Sequence, residues 1–294
     1  MFTIVFLSLH SEAHIKRLVS GIEKKYPIIV IENSLNYKLK NELEKQYENV
    51  KVIIPPKNIG FTAGYNLGIK ESKTDFVFLN PADIVLSNKC ISDLEECVLN
   101  IDDFTILGPT YDNEKTYKNY EIWDKKKLNM NLNGQIFEKY KIKEVDFIDN
   151  DFIINKKHCE NLDFFDENIF IYFDTMDFCK RVRSVNKKIY VCDKIKFTHF
   201  GGKSHDPKFS FQASLSRNWH YNWSKFYYFK KHFGYFFALK KIMPNFFRSI
   251  KKMISAKLRK NHEEYPLCRA EFLGIVNSIF NKPSSYRPYE TDIN

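Results

Sequence analysis

Four short apolar runs in the first eighty residues, Thr3–Leu7, Ile28–Ile31, Val50–Ile54 and Phe76–Leu79, constrain the fold of this chain more than any other feature. Each run is continuous rather than alternating, as in strands buried on both faces of a parallel sheet. Between them lie helix-period patterns over Glu12–Lys25, Lys38–Tyr47 and about Thr62–Glu71. This β-α-β-α-β-α-β order predicts an α/β fold with a doubly wound, mostly parallel sheet and right-handed crossovers. Ligands of such sheets bind beyond the carboxyl ends of the strands, so the segments that follow each strand carry the functional signal. Glu32, Asn33 and Ser34 follow the second strand, KNIGFTAGYNLGI (57–69) the third, and NPADIVL (80–86) the fourth.

The rest of the chain is less regular. Residues Ile106 to Val145 hold short candidate strands that are hard to place. A strand-like FIIN (152–155), a helix over Asp174–Ser184 and strands at Lys188–Val191 and Ile195–Thr198 follow, with one more helix from Glu263 to Phe280. The six cysteines are scattered without a C-x-x-C pair, which argues against zinc or a disulfide scaffold and for reduced thiols in the cytosol. The opening MFTIVFLSLH lacks a basic leader region and a cleavage site, and reads as the first strand rather than a signal peptide. No apolar run approaches the roughly 18–20 residues of a membrane-spanning helix.

The net charge of +10 has one address. Between Pro207 and His262 there is no Asp or Glu, against 13 Lys and Arg and fifteen aromatics. Nucleic acid or an anionic membrane surface would both suit such a segment. Trp219, Trp223, Phe226, Phe229 and Phe233 fall at three- and four-residue spacing, a helical stripe that also suits core packing. After it, apolar clusters alternate with lysine pairs as in an interfacial helix, which favours the membrane over nucleic acid. Pro244 predicts a break into two short helices.

Gly60, Gly64 and Gly68 recur at four-residue spacing after the third strand. Glycines at a helix start let backbone N–H groups approach a pyrophosphate, and they equally permit close helix packing. The pattern is not G-x-G-x-x-G, so no nicotinamide cofactor is indicated. N-I-G-F-x-x-G-x-N-x-G-I resembles the signature of the family 2 inverting glycosyltransferases, in the bacterial rhamnosyltransferase-like branch. Four further segments resemble that family in the same order: Glu32-Asn33-Ser34; LNPADI (79–84); Phe165-Asp166-Glu167 followed by Tyr172-Phe173-Asp174, Asp177, Cys179 and Arg181; and His199 with the G-G-x-S of 201–204.

The resemblance implies a Rossmann-like GT-A catalytic domain over residues 1–205, with a nucleotide-sugar half of about 1–110 and an acceptor half of about 111–205. A helical, basic C-terminal region follows over 206–294. It further implies sugar transfer from a nucleoside diphosphate-sugar to a glycan or polyprenyl-linked glycan with inversion, in cell-surface polysaccharide synthesis such as that of O-antigen. Glu32, Asn33, Asn58, Gly60, Phe61, Gly64, Asn66 and Asn80 would then shape the nucleotide-sugar site. Asp83 and His199 would hold a divalent cation, Mg²⁺ or Mn²⁺, whose preference for oxygen and imidazole donors fits them. Asp174 is the expected general base and Asp177 its competitor, because Thr175 stands where the family carries an acid. Asp83 stands three residues after Asn80, where the family has two, because Ala82 intervenes. The expected location is cytoplasmic, peripheral on the inner membrane surface through the basic C-terminal region. Two other readings are a sugar-1-phosphate nucleotidyltransferase, for which the first loop lacks the glycine- and arginine-rich sequence, and a degenerate fold kept for membrane or RNA binding.

Overall fold

The computed structural model describes residues 1–111, 118–129, 132, 134–149, 151–159, 161–199 and 205–289. The strands are β1 (Thr3–Ser8), β2 (Ile28–Glu32), β3 (Val50–Ile53), β4 (Phe76–Pro81), β5 (Ile84–Val85), β6 (Phe104–Tyr111), β7 (Tyr120–Glu121), β8 (Ile142–Glu144), β9 (Phe147–Ile148), β10 (Phe152–Asn155) and β11 (Lys188–His199). The helices are α1 (Glu12–Gly21), α2 (Tyr37–Gln46), α3 (Gly60–Glu71), α4 (Asn88–Asn100), α5 (Gln135–Tyr140), α6 (Lys156–Cys159), α7 (Asp174–Ser184), α8 (Ser210–Phe233), α9 (Tyr235–Leu258) and α10 (Glu264–Ile279). The chain divides into two compact units, Met1–Phe165 with Thr175–Asp206 and Asp166–Asp174 with Pro207–Asn294.

The first unit is built on a sheet of order β3-β2-β1-β4-β10-β6-β11-β5, with β8 paired to β11. β1, β2, β3 and β4 are parallel, as the apolar runs predict. β10 enters antiparallel between β4 and β6. The apolar runs are continuous because both faces are covered: Phe2, Ile4, Phe6 and Val30 pack on one side, Val5, Leu7, Ile29 and Ile31 on the other. One sequence expectation changes here, and one element appears that the sequence does not indicate. The strands at 188–191 and 195–198 are one strand, β11, whose register against β6 shifts between Cys192 and Lys196. Residues 88–100, which carried no expectation, form α4, capped by the Ser87 hydroxyl accepting from the Cys90 N–H at 3.2 Å and burying Ile91, Leu94, Cys97 and Val98 at helical spacing.

In the second unit α8, α9 and α10 pack on one another. Most of the aromatic stripe of α8 lies in their core: Phe226 packs with Ala238, Ile242 and Ile275, and Trp219 and Trp223 with Ala270, while Phe233 is exposed. The expected break at Pro244 does not occur, and α9 runs through it. Proline removes one N–H, freeing the Lys240 carbonyl. Pro244 and Lys240 both lie on the exposed side, while Ala238, Ile242, Asn245 and Ser249 bury the opposite side and hold both halves in line.

Gly274 of α10 meets α8 at closest approach. A Cβ there would lie 2.2 Å from the Trp219 carbonyl oxygen and 2.9 Å from its carbon. These are backbone atoms, so the helices themselves must part to admit a methyl group. Gly274→Ala is expected to lower stability by roughly 1–3 kcal/mol, read as a shift in urea midpoint at unchanged slope.

Candidate active site

The carboxyl edge of the first unit is set by strand register. Ser8 pairs with Glu32, Leu7 with Pro81 and Phe6 with Asn80, so the ends of β1, β2 and β4 are level. Glu32 is buried there. Its Oε1 accepts from the Ser34 N–H at 2.7 Å and from the Ser34 hydroxyl, which fixes the carboxylate in an Asx-like turn. Its Oε2 has no hydrogen-bond partner. Burial raises the Glu32 carboxyl above its ordinary range, against opposing hydrogen bonds from Ser34, the Ser8 hydroxyl and the Asn36 backbone. A buried acceptor without a donor favours a ligand that brings one, such as a ribose hydroxyl or a base N–H.

Asn33 ties this edge to the next loop. Its Nδ2 donates to the Gly60 carbonyl at 3.2 Å, and its Oδ1 accepts from the Ile59 N–H at 3.4 Å. Asn58 Oδ1 accepts from the Gly60 N–H at 3.0 Å. Gly60 opens α3 at φ +86°, a conformation that a side chain strains. The other two glycines of the pattern serve packing. A Cβ at Gly64 would lie 2.8 Å from Leu7 Cδ2, and one at Gly68 2.4 Å from Val5 Cγ1. Phe61 is half-buried, edge-on to Tyr65 at 4.6 Å. Asn66, expected at the nucleotide-sugar site, bonds in both directions to Phe165: its Nδ2 donates to that carbonyl at 2.9 Å and its Oδ1 accepts from that N–H at 3.0 Å. These bonds pin the segment leading to Asp166.

At the end of β4, Asn80 is fully buried; its Nδ2 donates to the Pro81 carbonyl at 2.9 Å, and its Oδ1 has no partner. The inserted Ala82 is also buried, so the loop absorbs it inward and Asp83 stands directly before β5. β5 pairs with the end of β11, placing residue 199 opposite Ile84. The backbone thus brings the two expected metal positions to neighbouring strands. The His199 side chain and the G-G-x-S of 201–204 lie outside the described residues.

The sequence reading missed Asp151. It is fully buried at the start of β10 with φ +47°; Tyr111 donates its hydroxyl to Oδ2, and Oδ1 has no partner. Burial pushes its carboxyl well above the usual carboxylate range, against the Tyr111 hydrogen bond, and the Asp83 and Asp149 charges push the same way. A D-N-D run immediately before an apolar strand was the available signal. Hard, unpartnered oxygens on Asn80 and Asp151 beside Asp83 match the donor chemistry that Mg²⁺ and Mn²⁺ take. Among the described residues, three or more His, Cys, Asp or Glu do not converge in a metal-holding group.

The two acid candidates on α7 differ. Asp177 is fully buried and receives Arg181 Nε at 2.8 Å. The same guanidinium donates to the carbonyls of Leu162, Asp163 and Phe164. Asp174, at the start of the helix, is 5% exposed. Tyr172 and Phe173 before it have φ +68° and +61°, two consecutive bulky residues in the left-handed region, where each costs on the order of 1–3 kcal/mol. The second unit holds them there. Ser224 donates to the Ile171 carbonyl at 2.8 Å, Phe173 packs on Tyr221, Tyr228 and Phe229, and Tyr227 and Lys231 bind Asp166 at 3.0 and 2.7 Å. Residues 166–174 are thus built onto α8.

The family model described as "Glycosyl transferase family 2" matches residues 9–163. Two curated relatives are similar over part of their length. The dTDP-rhamnosyl transferase RfbF of Shigella flexneri is 25% identical over 188 residues, 62% of either chain. The low-salt glycan biosynthesis hexosyltransferase Agl10 of Haloferax volcanii is 23% identical over 210 residues, 67% of this chain and 66% of its own. The matched segments therefore span less than two thirds of each relative. Among solved structures, the mannosyltransferase PcManGT of Pyrobaculum calidifontis, in complex with GDP-Man and Mn²⁺, aligns with a TM-score of 0.56 at 9% identity over 96% of this chain and 87% of its own. GalNAc-T7, with UDP, GalNAc and Mn²⁺, aligns with a TM-score of 0.57 at 12% identity over 79% of this chain and 50% of its own. These likenesses show a GT-A-type fold.

Proposed function

This chain belongs to glycosyl transferase family 2, and from that premise we propose that it moves a sugar from a nucleoside diphosphate-sugar to a hydroxyl of a glycan or lipid-linked glycan, with inversion. The observation that carries the reading is the set of buried oxygens without donors at the carboxyl edge, Glu32 Oε2, Asn80 Oδ1 and Asp151 Oδ1. An apolar ligand would leave them orphaned, whereas a hydroxyl-rich nucleotide and a cation satisfy them. The names of the two relatives, one a dTDP-rhamnosyl and one a hexosyl transferase, support a hexose or deoxyhexose donor. The nucleotides and Mn²⁺ in the two fold neighbours support a divalent cation.

In this reading Glu32, held by Ser34, takes donors from the nucleoside, and the Asn58–Gly60 turn faces the diphosphate. Asp83, with Asn80, would hold Mg²⁺ or Mn²⁺, which stabilises charge on the diphosphate leaving group. The acceptor oxygen bonds to the anomeric carbon as the bond to the diphosphate breaks. The nucleoside diphosphate leaves with that electron pair, and the hydroxyl proton passes to the Asp174 carboxylate. One in-line displacement inverts the anomeric centre. The acceptor is a glycan in cell-surface polysaccharide synthesis, carried on lipid at the cytoplasmic face of the membrane.

Thermal unfolding with UDP, dTDP, GDP and CDP, each with Mn²⁺, Mg²⁺ or chelator, tests the donor site. One nucleotide is expected to raise stability in a metal-dependent way, by about 2.7 kcal/mol at a hundred times its Kd. Asp83→Ala should abolish the metal dependence. The absence of any nucleotide response would refute the reading.

A further inference from the structure

α9 has two apolar faces, and the helix bundle covers one of them. Ala238, Ile242, Asn245, Ser249 and Ala256 point into the bundle. On the opposite side, Phe236, Phe247, Ile254 and Leu258 are 85%, 62%, 54% and 80% exposed, and Met243 is half-buried between them. At about 100° per residue these five positions fall within an arc of about 60° and extend along roughly 33 Å of helix. A soluble helix normally carries one apolar stripe, so an exposed second stripe of this length calls for a partner.

Charge identifies the partner. Lys240 and Lys251 border the stripe on one side and Lys257 on the other, with Lys252 behind, all exposed and none with a carboxylate partner among the described residues. No acid occurs between Pro207 and His262. A second copy of the chain would bring the same positive charge to the contact. A long apolar stripe edged by unpaired lysines instead matches a bilayer, where side chains enter the acyl boundary and ammonium groups meet anionic headgroups. The described helices include none long and apolar enough to cross a membrane, so a membrane contact through α9 would place the helix in the interface plane.

We propose that the outer face of α9, Phe236, Met243, Phe247, Ile254 and Leu258 with its lysine borders, is the surface through which this protein binds anionic membranes. The proposal draws on the transferase reading only for the acceptor's location, and the surface stands whatever sugar is moved.

The test is co-sedimentation of the full chain with phosphatidylcholine vesicles with or without phosphatidylglycerol. Binding is expected only where phosphatidylglycerol is present, weakening as salt is raised. Phe236→Ser, Phe247→Ser and Leu258→Ser together should reduce it by at least about tenfold, and Lys240→Gln, Lys251→Gln and Lys257→Gln together by about a hundredfold. Because all six side chains are exposed, the thermal transition and the nucleotide response should persist. Their loss would implicate folding or the donor site instead, so the two readings fail separately. Equal binding to neutral vesicles, binding unaffected by either triple variant, or a stripe-dependent dimer or RNA complex without vesicle binding would each overturn the proposal.

Discussion

Asp174→Asn is expected to lower turnover by at least about a hundredfold while leaving the nucleotide-induced rise in thermal stability unchanged. Asparagine keeps the size and most hydrogen bonding of the carboxylate and removes its capacity to take a proton, a capacity worth roughly 10²–10⁴-fold in rate. The loss should fall on kcat rather than on donor affinity, because the base acts on the acceptor proton only as the bond forms. Two observations favour Asp174 as the proposed base. Tyr172 and Phe173 are held in left-handed conformations directly before it, and such strain persists only where surrounding contacts over-determine it; the Ser224–Ile171 bond and the rings around Phe173 supply them. Asp177, by contrast, is fully buried and engaged with Arg181. Asp177→Asn should therefore appear first as lost stability, since breaking a buried ion pair leaves a cation that three carbonyls alone must hold. Single-turnover rates and thermal melts of the two variants separate the roles. Normal turnover in Asp174→Asn would remove it as the base.

The parallel half of the fold was legible because its apolar runs obey one rule, burial on both faces. The antiparallel insertion of β10 was not, because FIIN pairs with both Phe76–Leu79 and Ile106–Leu107 only through contacts far apart in sequence. Pro244 misled because local propensity was overridden by packing of Ala238, Ile242 and Ser249 on either side of it. At the site, residue types and order pointed to the carboxyl edge of the sheet, where the coordinates place Glu32, Asn33, Asn80 and Asp83, yet their local contacts needed coordinates. The four-residue glycine spacing left phosphate approach and close helix packing both open, and the coordinates add that a Cβ at Gly64 or Gly68 would meet Leu7 or Val5. Asn66, expected at the nucleotide-sugar site, also bridges to Phe165, which the sequence did not indicate. The attachment of residues 166–174 to α8 had no sequence signal, since a Tyr, a Lys and a Ser on a basic helix carry no mark of the acid and carbonyl they will meet.

That attachment makes the second unit sensitive to acid through His220. This imidazole is fully buried in α8 and stacked on Phe170 at 4.6 Å, within the segment that carries Asp174. Its Nε2 faces the Tyr286 carbonyl at 2.9 Å and its Nδ1 the Ser284 hydroxyl at 3.0 Å. A carbonyl can only accept, so Nε2 carries the proton and Nδ1 accepts from the serine. Burial lowers the His220 pKa to about 3, against the favourable Tyr286 carbonyl, and the Arg287 charge lowers it further. A histidine whose pKa falls on folding gives its full stability above the unfolded value of about 6.5, and that stability is lost as pH falls toward the folded value. The slope is about 1.4 kcal/mol per pH unit, so about 2 kcal/mol is lost between pH 6.5 and pH 5. Asp166, bound by Lys231, has its carboxyl held below the ordinary range, so its own loss begins only at lower pH, while Glu32 and Asp151, whose carboxyls are raised on folding, gain stability as pH falls and oppose the loss from His220. Urea melts at pH 7 and pH 5 should therefore show the native chain losing more stability than His220→Gln, by about 2 kcal/mol, since glutamine retains a polar group toward Tyr286 but does not titrate. Turnover of the native chain should fall over the same interval, because the loosened unit carries Asp174, the proposed base. Parallel pH profiles for the native chain and the variant would show that His220 stays hydrated and that the acid response has another source.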